Sequence, residues 1–403
     1  MSRPLEGIKV VEVAMWAFVP SAGAVLADLG ADVIKVEPPT GDPIRGLVTG
    51  GLGETNGLNF MFEIFNRGKR SITLDLKLEG ALDVLHKLLA DADVFLTNLL
   101  PAARRSMSID VDAITARHPN LIYAVGSGQG AHGPDAEKGG YDNISFWARC
   151  GIASAVTPAG QPYPVGMPGG AFGDGLSGAI FAGGIAAAIA QRAMTGKASV
   201  VDASLLATGM WAMQPGIVGS SLAGLEEMPK PGRLVLPNPL VNTYRTSDGR
   251  FVSLCMLQGQ RYWPGLCVAI GRPDLATDPR FEKEPDRVAN ISACVAVLDE
   301  VFATGTLSEW RDRLATQDGQ WDVVQKVGEL ASDESALANR FIQDVDYGDG
   351  RSLKMVSVPV QFDREAVTPQ RGPELGADSD GVLTSLGYSD DEILDLKIAG
   401  IVF

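Results

Sequence analysis

Apolar and polar positions in the first third of the chain switch repeatedly between a period of two and a period near 3.6. The run Gly7-Ile8-Lys9-Val10-Val11-Glu12-Val13 predicts a strand, Ser21 to Leu29 has helical character, and Asp32-Val33-Ile34-Lys35-Val36-Glu37 predicts a second strand, which makes a βαβ unit. Arg70 to Leu76 predicts another strand, followed by a helix from Gly80 to Asp91 with apolar positions at Leu82, Leu85, Leu88 and Leu89. Strands at Val94-Phe95-Leu96-Thr97 and Leu121 to Val125 come next, with a helix around Asp110 to Ala116 between them. Such alternation implies an α/β fold with a mostly parallel sheet covered on both faces.

The pattern changes near Asn238. Val241 to Thr246 and Arg250 to Leu254 flank Ser247-Asp248-Gly249 as a hairpin, and helical segments follow near Gln260 to Ile270, Ile291 to Ala303 and Leu307 to Thr316. A chain of 403 residues exceeds what one core usually serves. We therefore expect a large domain over 1–215, a linker over 216–237 broken by Pro229, Pro231-Gly232 and Pro237, and a smaller α+β domain over 238–326. The segment 327–403 is expected to run irregularly to Gly350, then return to the large domain through a strand at Leu353 to Phe362 and a helix at Ser389 to Ile398. Leu176 to Ala190 is apolar but too short and too rich in Gly and Ala to span a bilayer, so it reads as a buried helix.

Charge narrows the partners. A formal charge of −15 without clustered Lys and Arg argues against nucleic acid, and any anionic ligand must be met by local cations. Cys150, Cys255, Cys267 and Cys294 lie too far apart for a zinc or disulfide framework, and the N-terminus enters its first strand without a signal-peptide hydrophobic region. A cytoplasmic protein with no metal, no nucleic acid and no membrane partner is expected.

The candidate chemistry centres on Asp174, in Phe172-Gly173-Asp174-Gly175-Leu176-Ser177-Gly178. Gly173 and Gly175 clear space around its carboxylate, and the dipole of the following helix is expected to hold it ionised. Such a group suits nucleophilic catalysis, although on the local sequence alone an ordinary helix cap is the commoner reading. The run Gly126-Ser127-Gly128-Gln129-Gly130-Ala131 has nicotinamide-dinucleotide spacing, yet Gly133-Pro134 and Gly139-Gly140 follow it where a pyrophosphate needs a helix N-terminus.

Four segments occur in one order: Ala27 to Glu37 (ADLGADVIKVE), Asn66 to Leu76 (NRGKRSITLDL), Gly173-Asp174-Gly175 and Glu374-Leu375-Gly376. Together they resemble the family III CoA-transferases, which include formyl-CoA transferase, carnitine CoA-transferases and the α-methylacyl-CoA racemases. The resemblance implies a Rossmann-like large domain built from both chain ends, a small domain between them, and an interlocked homodimer. It also implies a CoA thioester as substrate rather than a resident cofactor, a free carboxylic acid as second substrate, and Asp174 as nucleophile. Amides of Gly173 and Gly175 are candidate oxyanion donors.

Racemases of this group carry Gly-His-Asp where this chain has Gly140-Tyr141-Asp142, and Gln258 stands where they carry a small-domain glutamate. A phenol, ordinarily titrating near ~10, is a poor proton shuttle at neutrality, so transferase chemistry is favoured over racemisation at the α-carbon. A CoA-binding protein without catalysis is a further alternative. Stretches matching CoA contacts include Leu74 to Lys77, Asn98-Leu99, and Lys138 to Tyr141, with Arg104 and Arg105 near enough to reach phosphates. Ala17 matches the glutamine that touches the small acyl group in formyl-CoA transferase, and Met15, Trp16 and Phe18 beside it imply a larger, more apolar acyl group. Among the histidines, His86 and His118 read as structural or exposed, while His132, in the loop before Tyr141, is placed to approach a substrate.

Overall fold

Val10, Val11 and Val13 are buried on both faces of the strand they form, which places that strand in the middle of a sheet. The computed structural model describes residues 3–47, 55, 57–230, 232–234 and 237–403; Pro231 of the expected linker lies outside them. Six strands, β1 (Lys9–Val13), β2 (Asp32–Glu37), β3 (Arg70–Thr73), β4 (Val94–Thr97), β5 (Ile122–Ser127) and β6 (Val200–Ser204), pair in parallel in the order β3-β2-β1-β4-β5-β6. β6 is absent from the sequence reading because only part of it is buried, so its apolar signal is weak.

Helices α1 (Phe18–Asp28), α2 (Phe60–Asn66), α3 (Glu79–Ala90), α4 (Pro101–Ser106), α5 (Val111–Arg117), α6 (Ile152–Val156) and α7 (Phe172–Thr195) follow in chain order. One core, with Leu26, Phe181 and Ile185, lies on one face of the sheet, and a second, with Val84, Leu85 and Ile114, lies on the other. α7 is longer than the apolar stretch read from the sequence: it has 24 residues and is long and apolar enough to cross a membrane by length and composition. Its inner face packs on protein, since Phe181 packs on Phe18 and a Cβ on Gly178 would fall 2.5 Å from Ser21.

The chain divides into two compact units, Met1–Ser154 with Val165–Glu226 and Glu334–Phe403, and Ala155–Pro164 with Glu227–Asp333. The start of the expected linker is helical, within Gln214–Ala223 of the first unit. In the second unit, Val241–Arg245, Phe251–Cys255 and Trp321–Val323 form an antiparallel sheet over a core containing Trp263, Leu298 and Trp310. The expected strand at Leu353 to Phe362 ends early: Ser352–Val356 pairs antiparallel with Ile342–Asp346, which had read as irregular. Pro359 cannot donate to a ladder, so the strand stops before it. The C-terminal residues lie on the free edge of β3, where Asp378 accepts the Ser71 amide at 2.8 Å and Leu74 bridges Val402.

Candidate active site

Strand order reverses between β1 and β4, and open α/β sheets leave a crevice at the carboxyl ends of strands at such a point. A cavity of about 450 Å³ lies there, lined by the loops after β1, β4 and β5. Ala17, Asn98, Leu99, Arg104, Arg105, Lys138, Tyr141 and Asp174 all line it. Leu74 and Lys77 do not: Leu74 is buried in the core, and Lys77 is exposed beyond the sheet's edge strand.

The loop after β1 is held from two sides. Asn98 Oδ1 accepts the Met15 amide at 3.0 Å and its Nδ2 donates to the Met15 carbonyl at 2.7 Å, so this side chain is a clasp rather than a free ligand amide. Trp16 adopts φ of +69°, a left-handed conformation that costs a bulky residue energy, and its amide donates to Asp42 Oδ1 at 3.0 Å. Asp42 in turn lies 2.9 Å from the Lys35 ammonium, which also meets Glu12 at 3.1 Å, all three side chains being fully buried. The ring of Trp16 thus stands edge-on to that of Tyr141 with centroids 5.9 Å apart.

Packing accounts for Gly126 and Gly128, and a φ of +99° for Gly130. A Cβ on Gly126 would fall 2.2 Å from Val19, and one on Gly128 would fall 2.5 Å from the Gly140 Cα. Turns follow up to a π-helical segment, Asp142–Ala148, so no helix N-terminus meets the Gly126–Ala131 loop in the way a dinucleotide requires.

Asp174 stands in the first turn of α7, half-buried on the cavity wall. The expectation of a carboxylate held ionised is corrected here: burial first, and the Asp142 carboxylate second, push Asp174 up to about 7. The Gly173 amide donates to Asp142 Oδ2 at 3.0 Å and the Gly175 amide to the Ala171 carbonyl at 3.0 Å, so neither is free to serve as an oxyanion donor. Gly173 is needed for a different reason, since a Cβ there would fall 2.4 Å from Phe146.

Cations gather at one end of the cavity, and each has a partner. Arg104 donates from Nε to the Leu99 carbonyl at 3.0 Å and from Nη1 to the Tyr123 hydroxyl at 3.2 Å. Arg105 forks onto Glu137 with two 3.0 Å bonds, and Lys138 pairs with Asp135. Asp202, on β6, also lines the cavity; burial raises its carboxyl, opposed by Arg104 and His132. Asp142 and Asp202 escaped the sequence reading. Asp202 belongs to the strand that was missed, whereas Asp142 stands in the phrase Gly140-Tyr141-Asp142 that was read only for its middle residue. His132 is exposed and is not on the cavity wall, while His86 and His118 stack on each other with centroids 5.3 Å apart beside a separate groove at the amino ends of β4 and β5. Among the described residues no group of three or more His, Cys, Asp or Glu is arranged to hold a metal ion.

Comparison with known proteins bears on this arrangement. The family model for CoA-transferase family III matches residues 5–379. The chain is 34% identical to the (R)-2-hydroxy-4-methylpentanoate CoA-transferase of Clostridioides difficile, over 99% of each chain. It is 31% identical to the cinnamoyl-CoA:phenyllactate CoA-transferase of Clostridium sporogenes, over 97% of this chain and 95% of that one. The crystal structure of a CAIB/BAIF family protein from Brucella suis superposes with a TM-score of 0.81 at 28% identity, covering 96% of this chain and 100% of the other. An α/β enzyme with a six-stranded parallel sheet and a crevice at its switch point, this chain belongs to CoA-transferase family III.

Proposed function

We propose that this enzyme moves CoA from an acyl-CoA donor to a free carboxylic acid through covalent intermediates on Asp174. The observation that carries this reading is the position of Asp174: it shares one cavity with Tyr141 and with the cations Arg104, Arg105 and Lys138. A lone pair of the Asp174 carboxylate attacks the thioester carbonyl, the C–S bond breaks, and an aspartyl-acyl anhydride and CoA thiolate result. The thiolate attacks the anhydride at the Asp174 carbonyl, giving an aspartyl-CoA thioester and the free donor acid. An acceptor carboxylate then displaces the thiolate from Asp174, and the thiolate attacks the acceptor carbonyl of the new anhydride, restoring the Asp174 carboxylate. With the glycine amides already committed, the Tyr141 hydroxyl is our candidate donor to the oxyanion.

The acids best suited are 2-hydroxy acids with branched or aromatic side chains. Met15, Trp16, Leu99, Leu100 and Tyr141 give the cavity an apolar wall, and the two relatives described above are named for acids of that kind, whereas others of similar coverage are named for D-citramalate and oxalate. CoA is read as substrate, with its phosphates toward Arg104, Arg105 and Lys138. Racemisation is not favoured: it needs a second proton carrier across the α-carbon, and by resemblance Tyr141 stands where the racemases carry histidine. We also propose a cytoplasmic homodimer, interlocked as the family resemblance implies. Trp211 and Leu222 are 71% and 85% exposed on successive helices, a surface that a second copy would cover.

Intact-protein mass spectrometry after brief incubation with a panel of acyl-CoAs tests the mechanism. A CoA-sized, hydroxylamine-sensitive adduct on the wild type and none on Asp174→Ala is the expected outcome. Undiminished turnover in Asp174→Ala ends the assignment, and CoA affinity without adduct or turnover in the wild type points to binding alone. Light scattering of the eluting protein checks the dimer.

A further inference from the structure

A carboxylate not assigned above, Asp142, touches the machinery of Asp174 directly. It is 4% exposed, and its Oδ2 accepts the Gly173 amide at 3.0 Å, while Oδ1 is buried with no hydrogen-bond partner among the described residues. Ala171, the residue that would ordinarily cap α7 with its own side chain, has none to offer and sits at φ of +59°. The cap therefore comes from 31 residues earlier in the chain. Burial raises the Asp142 carboxyl, opposed by the Gly173 and Asp174 amides it faces, so this cap, unlike an asparagine in the same place, can also bring a negative charge to the first turn.

We propose that Asp142 is a positioning residue for Asp174: it fixes the first turn of α7 and sets a second buried negative charge against the nucleophile. The proposal rests on the reading of Asp174 as nucleophile for its catalytic meaning, though not for its geometry. The charge acts by keeping Asp174 basic. A more basic carboxylate is the better nucleophile toward a thioester, at the cost of being protonated at lower pH. Arg104, Arg105, Glu137, Lys138, Tyr141 and Asp202 share the cavity with Asp174. Of the charged groups, Asp142 is the one that adds to burial in raising it, in line with the contact at Gly173.

The test follows the Asp174 side-chain carbon by NMR in protein labelled with ¹³C at the aspartate carboxyl, its signal identified by its loss in Asp174→Asn. In Asp142→Asn, and in Asp142→Ser as a second neutral acceptor, the Asp174 midpoint is expected to fall by about one pH unit. The acid limb of adduct formation should move with it, while KM for the acyl-CoA stays within about twofold. A midpoint that stays in place in either folded variant overturns the proposal. If neither variant folds, the wild-type curve decides: coupled carboxyls give the Asp174 carbon a second, smaller inflection, and a single inflection overturns the proposal. A midpoint that moves in a protein forming no adduct supports the action of Asp142 and removes the nucleophile reading.

Discussion

Asn98 and Met15 are joined through both ends of one amide, with Oδ1 accepting from the Met15 nitrogen and Nδ2 donating to its carbonyl. This clasp ties the ends of β1 and β4 together across the switch point and steadies the loop that carries Trp16. Asn98→Ala is expected to lower kcat/KM for acyl-CoA about tenfold and to cost about 1–3 kcal/mol of stability, because it leaves a buried backbone pair unmet. Asn98→Asp, which keeps the acceptor and loses the donor, should fall between. Steady-state kinetics with urea unfolding checks both.

The attack on a thioester that we propose requires Asp174 as carboxylate, so adduct formation should rise about tenfold per pH unit below 7 and level off above it. Stability runs the other way. Since its folded value of about 7 lies above the ordinary 3.8, the folded protein keeps a proton that the unfolded chain releases between those values. Stability due to this group is therefore present at acid pH and lost as pH rises from 4 to 7. Asp174→Asn should be more stable than wild type by roughly 1–3 kcal/mol at pH 8 and by little at pH 4, as read by denaturant titration at each pH.

Lys35 is the cation between Glu12 and Asp42, and none of the three reaches solvent. Lys35→Met leaves the buried Asp42 carboxylate without its cation, while Glu12 keeps Lys69 at 2.8 Å, and should destabilise the protein by about 3–5 kcal/mol. Lys9→Met removes an exposed pair with Asp91 and should cost less than about 1 kcal/mol. Thermal unfolding of the two variants side by side makes the comparison, and equal losses would refute the ranking.

The two glycines flanking Asp174 are not equivalent. A methyl on Gly173 meets Phe146 at 2.4 Å, whereas the nearest atom to a methyl on Gly175 is 4.0 Å away. Gly173→Ala should lose adduct formation and soluble yield. Gly175→Ala should fold normally and gain about 0.5–1 kcal/mol from the helix, as seen in unfolding midpoints.

Legibility followed the reach of each interaction. β1, β2 and β4 announce themselves because their burial on both faces demands runs such as Val10-Val11 and Val33-Ile34, whereas β6 is only partly covered and its residues alternate without contrast. Asp174 was legible from its glycines. The strand order was not, and so the sequence could not separate Leu74 and Lys77, after β3 and two strands from the crevice, from the residues that line it. Asn98 lines the cavity, but its bonds to Met15 were out of reach of the sequence because they span 83 residues. Asp142 acts over a similar gap in sequence, where local pattern carries no signal.

Arg105 meets the cavity already neutralised by Glu137, whereas Asp135 is shared between Lys138 and Arg149. A phosphate arriving at this rim exchanges one anion for another and sends a carboxylate back into water. Binding by such exchange gains little net charge attraction at Arg105, so the ionic-strength dependence of CoA affinity should come from Arg104 and Lys138, and discrimination among thioesters falls to the acyl end.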